Sequence, residues 1–337
     1  MHEQLRRLNA LYILDGLSTD LIYGPKERLE IDRLVDVFAP PQTRDSIQEN
    51  LTLLADVEVI LSGWGGPIMD HAFLSAAPNL KAVFHGAGSI RVFTPEPFWE
   101  RDIAITSAYE ANAVPVAEYT LSVILLSLKH FWRYAHGAKA NQGWGDHTRP
   151  VTGCFDSTVG LISCGAVARR LLEMLRPFDL HRMVYCPFLS QREAAELGVE
   201  LVSLPDLFRR ADVVSIHTPL LPETTGLITG RHVASMRPNA TLINTSRGPI
   251  VREPELIDVL RERPDLTAVL DVTDPEPPLD GSPFSELPNI VLTPHIAGSM
   301  GPEIRRLGRC MVEELRRFVA GEPLKWRITK EAAAKMA

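Results

Sequence analysis

The chain has 337 residues, 45% apolar and 23% charged, a balance that excludes a disordered or collagen-like polypeptide. Its 35 basic and 42 acidic side chains leave a net charge of −7, which excludes a general basic field for nucleic acid or anionic lipid. Four scattered cysteines, Cys154, Cys164, Cys186 and Cys310, neither frame a disulfide scaffold nor form a C-x2-C zinc pair, so the expectation is no metal and a reducing, cytoplasmic setting.

At roughly 150 residues per domain, two domains are expected. The opening residues Met1–Arg7 carry no secretory apolar core. Short runs rich in Val and Ile, at Leu11–Leu14, Val57–Leu61, Leu80–Phe84 and Ile103–Thr106, read as strands. Helical periodicity fills the intervals at Lys26–Val35, Ser46–Leu54 and Asp70–Ala77. The apolar stretch Tyr119–Leu128 reaches about half of a membrane span, so no membrane partner is expected. It lies in a long helix predicted over Val116–Ala140, which holds Phe131, Trp132 and Tyr134 and is followed by Trp144. A second series of strands follows at Thr158–Ile162, His181–Tyr185, Val213–Ile216, Thr241–Asn244, Thr267–Leu270 and Asn289–Leu292. Helices at Ala166–Leu175 and Pro254–Arg261 belong to this series. Six strands alternating with helices predict a Rossmann-type doubly wound parallel sheet. A final helix over Gly301–Ala320, with Leu307, Met311, Leu315 and Phe318 near one face, is expected to return to the first series. The domains are then 1–112 with 300–337, a discontinuous flavodoxin-like α/β substrate domain, and 113–299, a dinucleotide-binding domain, with a cleft between the lobes.

The first strand of the second series runs through Ser163-Cys164-Gly165-Ala166-Val167-Ala168 into a helix. This is the setting of a glycine-rich turn that brings backbone N–H groups and a helix N-terminus to a pyrophosphate. Only the middle glycine, Gly165, is present. Ala168 is an accepted third position, whereas Ser163 is a departure at the first. The second strand ends at Cys186, where an acidic residue normally accepts the ribose hydroxyl proton. Loss of that charge makes the 2′-phosphate of NADP more tolerable, so the cofactor is expected to be NAD or NADP. Arg192 is a candidate partner for that phosphate, although most loop arginines are solvated.

Three later strand ends carry polar residues. Arg247 follows the strand ending at Asn244, Glu276 lies in the proline-rich loop after Asp271, and His295 follows the last strand. Ligands bind outside the carboxyl ends of parallel strands, so these loops are expected to share a crevice. Arg247 offers a planar fork suited to a carboxylate. His295 could serve as a proton donor, and Glu276 near it would orient the ring and favour the imidazolium; each residue taken alone has a structural reading as well, a surface salt bridge, a solvated carboxylate or a hydrogen-bonding ring.

Gly86-Ala87-Gly88, Asn112–Glu118, the fingerprint turn, His217-Thr218-Pro219, Asn244–Gly248, Asp271 with Glu276, and Pro294–Gly298 together resemble the D-isomer-specific 2-hydroxyacid dehydrogenase family over nearly the whole chain. The resemblance implies an oxidoreductase that moves a hydride between NAD(P) and a D-2-hydroxy acid or its 2-keto form, with His295 as acid/base, Glu276 as its partner and Arg247 as substrate anchor. It implies cofactor contacts at Cys164, Gly165, Ala166 and Val167, at Cys186, at His217, Thr218 and Pro219, at Thr245 and Ser246, and at Ala297 and Gly298. Asp271 would hold the nicotinamide carboxamide. On the substrate side it implies Gly86, Ala87 and Gly88; Trp64, at the end of a strand, is either an apolar wall of the substrate pocket or a core residue. The aromatic-rich helix and the family's habit of pairing through cofactor domains imply a homodimer. The competing reading is a dinucleotide-responsive, corepressor-like binding protein of the same fold, to which Ser163 and Cys186 lend weight. The intact Arg247, Glu276 and His295 set argues against it.

Overall fold

A computed structural model describes residues 6–139 and 151–336. The chain divides into two compact units, one through Asn112 together with Ser299–Met336, the other from Ala113 through Gly298.

The first unit is built on five parallel strands: β1 (Asn9–Ile13), β2 (Asp36–Val37), β3 (Val59–Ser62), β4 (Ala82–His85) and β5 (Ala104–Ser107). Their order is β2-β1-β3-β4-β5, the flavodoxin-like arrangement, in which the order reverses beside β1 and β3. Strand residues alternate between two cores. Ala10 and Tyr12 of β1 join one cluster, while Leu11 and Ile13 join the other. Both faces are thus covered by helices, as parallel pairing requires. The helix Ile304–Val319 belongs to this unit, and its Leu307, Met311 and Leu315 are fully buried at i, i+4 and i+8. Each such side chain contributes roughly 1.5–3 kcal/mol of transfer free energy.

The second unit carries seven parallel strands, one more than expected: β6 (Ser157–Ile162), β7 (Leu180–Tyr185), β8 (Glu200–Leu201), β9 (Val213–Ile216), β10 (Thr241–Asn244), β11 (Thr267–Leu270) and β12 (Ile290–Leu292). The extra strand, β8, is two residues long, too short to show a period. The order β12-β11-β10-β9-β6-β7-β8 is the doubly wound arrangement with one strand added, and its switch point lies between β6 and β9. Here too the strands feed two cores, with Ile162, Val214 and Leu242 on one face and Leu161, Val213 and Ile243 on the other.

The long helix predicted over Val116–Ala140 is instead two, Tyr109–Leu128 and Phe131–Lys139. The break falls at His130, whose φ of 51° is left-handed and cannot continue a right-handed helix. Thr152 bonds its ring at 3.2 Å. Ala140 and Trp144 lie outside the described residues. Tyr109–Leu128 is 20 residues long and apolar enough to cross a bilayer by length and composition, against the shorter stretch read from the sequence. Its Ala117, Val123, Ile124 and Leu128 are buried with β6 and β7 residues in one core of the second unit, which accounts for its apolarity without a membrane.

Candidate active site

The turn after β6 leads from strand to helix through a left-handed residue, although its letters depart from the glycine fingerprint. Ser163 adopts a φ of 79°, the left-handed conformation that a glycine takes freely and a side chain resists. Its N–H donates to the Tyr185 carbonyl at 2.7 Å. Gly165 is the N-cap of the helix Ala166–Leu175 and supplies no side-chain cap. The first N–H groups of that ten-residue helix therefore lack a side-chain acceptor from the cap, and a Cβ built on Gly165 would meet nothing within 4 Å. Open space against uncapped N–H groups fits a dinucleotide pyrophosphate. Cys164 is buried, and burial raises its thiol pKa, which suits packing rather than nucleophilic work.

Cys186 follows β7 directly and is half-buried, so a neutral thiol stands where the acidic residue was sought. Arg192 is well exposed and pairs with Glu196 at 3.6 Å, the solvated reading. His217, past β9, accepts or donates a bond with Ser215 Oγ at 3.0 Å, and desolvation pushes its pKa down to about 4. It is a neutral ring at physiological pH and no proton donor. Thr218, which follows it, is buried, with Oγ1 donating to the Ile162 carbonyl at 3.4 Å. Pro219 accepts from Thr224 Oγ1 at 2.6 Å through its carbonyl. These two loops, after β6 and β9, flank the switch point.

The ends of β10, β11 and β12 bring three charged groups together. Beyond β10, Asn244 organises the chain: its Oδ1 accepts from Ser246 N and Oγ at 3.0 and 2.7 Å, and its Nδ2 donates to the Arg247 carbonyl at 2.9 Å. Arg247 Nη1 donates to the Ser246 carbonyl at 2.7 Å. Burial lowers the Arg247 pKa, and the nearby Glu276 charge raises it in part; a guanidinium stays charged regardless. Glu276 lies in the loop after β11, with cis peptide bonds before Pro275 and Pro277. His295 Nδ1 meets Glu276 Oε1 at 2.5 Å. An ionised carboxylate only accepts, so Nδ1 carries the proton and Nε2 is left for other work.

His295 itself has a φ of 55°, and Asp271 holds it there. The Asp271 carbonyl accepts His295 N at 3.0 Å. Its carboxylate accepts Thr293 Oγ1 at 2.6 Å and the N–H groups of Ile296 and Ala297 at 2.9 and 2.8 Å. Asp271 is 1% exposed and thus builds the histidine loop. With about four acceptor positions on a carboxylate, it keeps roughly one for a ligand amide. The sequence reading missed two residues on the helix Tyr109–Leu128. The Tyr119 hydroxyl bonds Thr293 Oγ1 at 2.9 Å, and Thr120 Oγ1 bonds Thr245 Oγ1 at 3.3 Å. The available signal was a pair of polar side chains inside an apolar run. Gly298 closes the second unit after the buried Ala297.

In the first unit, Gly86 is a packing residue, because a Cβ there would fall 2.6 Å from Ile22 Cγ2 and 3.0 Å from the Tyr23 hydroxyl. Ala87 is buried, and Gly88 faces open space. Ser107 Oγ donates to the Ala87 carbonyl at 2.9 Å and to that of Gly88. Among the described residues, no backbone partner meets the N–H groups of Ala87 or Gly88. Trp64 is 37% exposed after β3, and its carbonyl accepts Asp15 N at 2.8 Å. His85 is buried beside Ser62, and its pKa falls to about 3 by desolvation, which makes it structural.

A family model described as D-isomer specific 2-hydroxyacid dehydrogenase, NAD binding domain, matches residues 121–297. The chain is 33% identical over 250 residues to the (S)-sulfolactate dehydrogenase of Chromohalobacter salexigens, covering 74% of this chain and 81% of that one. It is 32% identical over 315 residues to a D-3-phosphoglycerate dehydrogenase of Mycobacterium leprae, covering 94% of this chain and 58% of that one. The chain therefore spans little more than half the length of that relative. Among solved structures, the D-mandelate dehydrogenase of Rhodotorula graminis in its holo form shares the fold with a TM-score of 0.81 at 21% identity, over 97% of this chain and 99% of that one.

Proposed function

The chain belongs to the D-isomer specific 2-hydroxyacid dehydrogenase family, and from that premise we propose that it interconverts a D-2-hydroxy acid and its 2-keto form with NAD(H) or NADP(H). The observation that carries this reading is the 2.5 Å contact between His295 Nδ1 and Glu276 Oε1, within the electrostatic reach of Arg247. Arg247 binds the substrate carboxylate through its planar donors. Glu276 fixes the His295 ring with Nε2 outward, and Nε2 gives a proton to the developing alkoxide or takes it in the reverse direction. Asp271, through the Ile296 and Ala297 amides, keeps that ring in place. When bound, the nicotinamide ring supplies or receives the hydride. Gly165 and the amides of Ala166 and Val167 suit the pyrophosphate, and the N–H groups of Ala87 and Gly88, without a backbone partner among the described residues, suit a carboxylate.

Cys186 removes the charge that would repel a 2′-phosphate, so NADPH is accepted beside NADH. Phe131 is 44% exposed on a helix with no buried residue among its members, and Phe155 is 75% exposed; an apolar surface of this kind supports pairing of two copies. Four free thiols support a reducing compartment such as the cytoplasm.

The test offers the purified protein NADH and NADPH with a panel of 2-keto acids, including phosphorylated, sulfonated and aromatic ones. Turnover is expected with at least one pair, and His295→Ala should lower kcat by about 10²–10⁴. Cofactor binding without turnover across the panel would favour a binding protein instead.

A further inference from the structure

We infer that Glu253 is a positioning residue for the acid–base pair: its carboxyl group tethers the backbone of the loop that carries Glu276 and thereby sets the Glu276–His295 contact. The inference rests on the roles given above to Glu276 and His295. Glu253 opens the helix Glu253–Glu262, six residues after Arg247. Its side chain does not cap its own helix. Instead Oε1 accepts the N–H of Asp274 at 2.9 Å, two residues before Glu276. Thr273 Oγ1 donates to the Pro275 carbonyl at 2.8 Å, so the chain between tether and Glu276 is itself bonded.

A second contact places this tether where the two catalytic loops meet. Gly248, next to Arg247, lies so close to the other loop that a Cβ on it would fall 2.1 Å from the Thr273 carbonyl carbon and 2.7 Å from Asp274 N. The arginine loop and the glutamate loop therefore touch backbone to backbone, and Glu253 supplies the side-chain hydrogen bond at that seam. A shift of the seam moves Glu276 relative to His295, and an error of an ångström in such a pair is costly.

Among the described residues, no cation pairs with the Glu253 carboxyl. Asp274, from the opposite loop, has the same sign. On its own side, Arg252 is turned to the Gly226 carbonyl at 3.0 Å and to Glu255 at 3.1 Å, and Glu255 accepts Gly230 N at 2.7 Å. Burial first, then Asp274, push the Glu253 pKa up to about 7, against the opposing effect of the Asp274 amide bond. A carboxyl whose pKa is raised in its buried place is favoured there in the protonated form, so the tether loosens as pH rises through about 7.

The experiment compares Glu253→Ala, Glu253→Gln and, as a control that loosens a different amide tether on the same helix, Glu255→Gln. Two readouts are taken: kcat against pH with the best keto acid, and the Nδ1–H proton resonance of His295 in the protein without substrate. Glu253→Ala should lower kcat about tenfold, a fraction of the full acid–base contribution, with dinucleotide affinity unchanged and the His295 resonance broadened. Glu253→Gln, which keeps an acceptor, should recover most of kcat and the sharp resonance but lose the fall in activity as pH rises through about 7. Glu255→Gln should match the wild type. An unchanged His295 resonance in Glu253→Ala overturns the inference, as does a decline above neutral pH in Glu253→Gln identical to that of the wild type. If the wild type turns over no 2-keto acid, the functional reading fails, and the resonance still decides whether Glu253 positions the pair.

Discussion

Single residues show what the turn after β6 does where its letters depart from the glycine fingerprint. Ser163 takes a glycine's dihedral at a φ of 79°. Ser163→Gly should therefore stabilise the protein by about 0.5–1 kcal/mol, the strain relief less the entropy of a freer unfolded chain. A thermal melt of the cofactor-free protein that shows no gain would contradict this. Glu253 gives a pH prediction of definite sign. Its folded pKa lies near 7, above the 4.5 of the free side chain. Its contribution to stability is fully present below the unfolded value and is lost as pH rises through about 7. Glu253→Gln should accordingly be more stable than the wild type at pH 8, by on the order of 2 kcal/mol, and equal to it near pH 4. Denaturant unfolding at the two pH values measures the difference; a gain at low pH instead would reverse the sign.

Among elements, the loops after β10, β11 and β12 act as one body. Arg247 is presented by Asn244, Glu276 by the Glu253 tether, and His295 by Asp271. Gly248 lies where the first two loops meet, and backbone atoms of Thr273 cannot yield as a flexible side chain would. Gly248→Ala should cost roughly 1–3 kcal/mol of stability through overpacking. It should also lower kcat/KM about 10²-fold by displacing the seam. Melting temperature and steady-state kinetics check both, and wild-type activity would show that the seam tolerates movement. The helix expected over Val116–Ala140 is instructive at this scale. Its apolar pattern runs on past Leu128, so periodicity alone shows no end. The break depends on His130 entering a left-handed conformation, where Thr152 bonds its ring.

The whole molecule rests on two parallel sheets, each with two cores. Pairing of two copies is the prediction that belongs to this scale. Sedimentation at micromolar concentration should give twice the 37.4 kDa of one chain. Phe131→Asp, which puts a charge in place of the exposed aromatic ring, should shift the protein toward monomer. A monomer in the wild type would sink the proposal.

The sequence by itself determined the strand series, because parallel strands buried on both faces read as compact Val- and Ile-rich runs such as Val213–Ile216. It also determined the order Arg247, Glu276, His295, because each follows a recognisable strand. Only the tertiary structure decided that Glu276 bonds His295, that Asp271 is occupied in holding the histidine loop, and that Glu253 reaches Asp274. Periodicity reports which way a side chain faces within its own element. Contacts between loops tens of residues apart depend on strand order and on backbone dihedrals such as the left-handed φ of His295, and neither is written in local sequence.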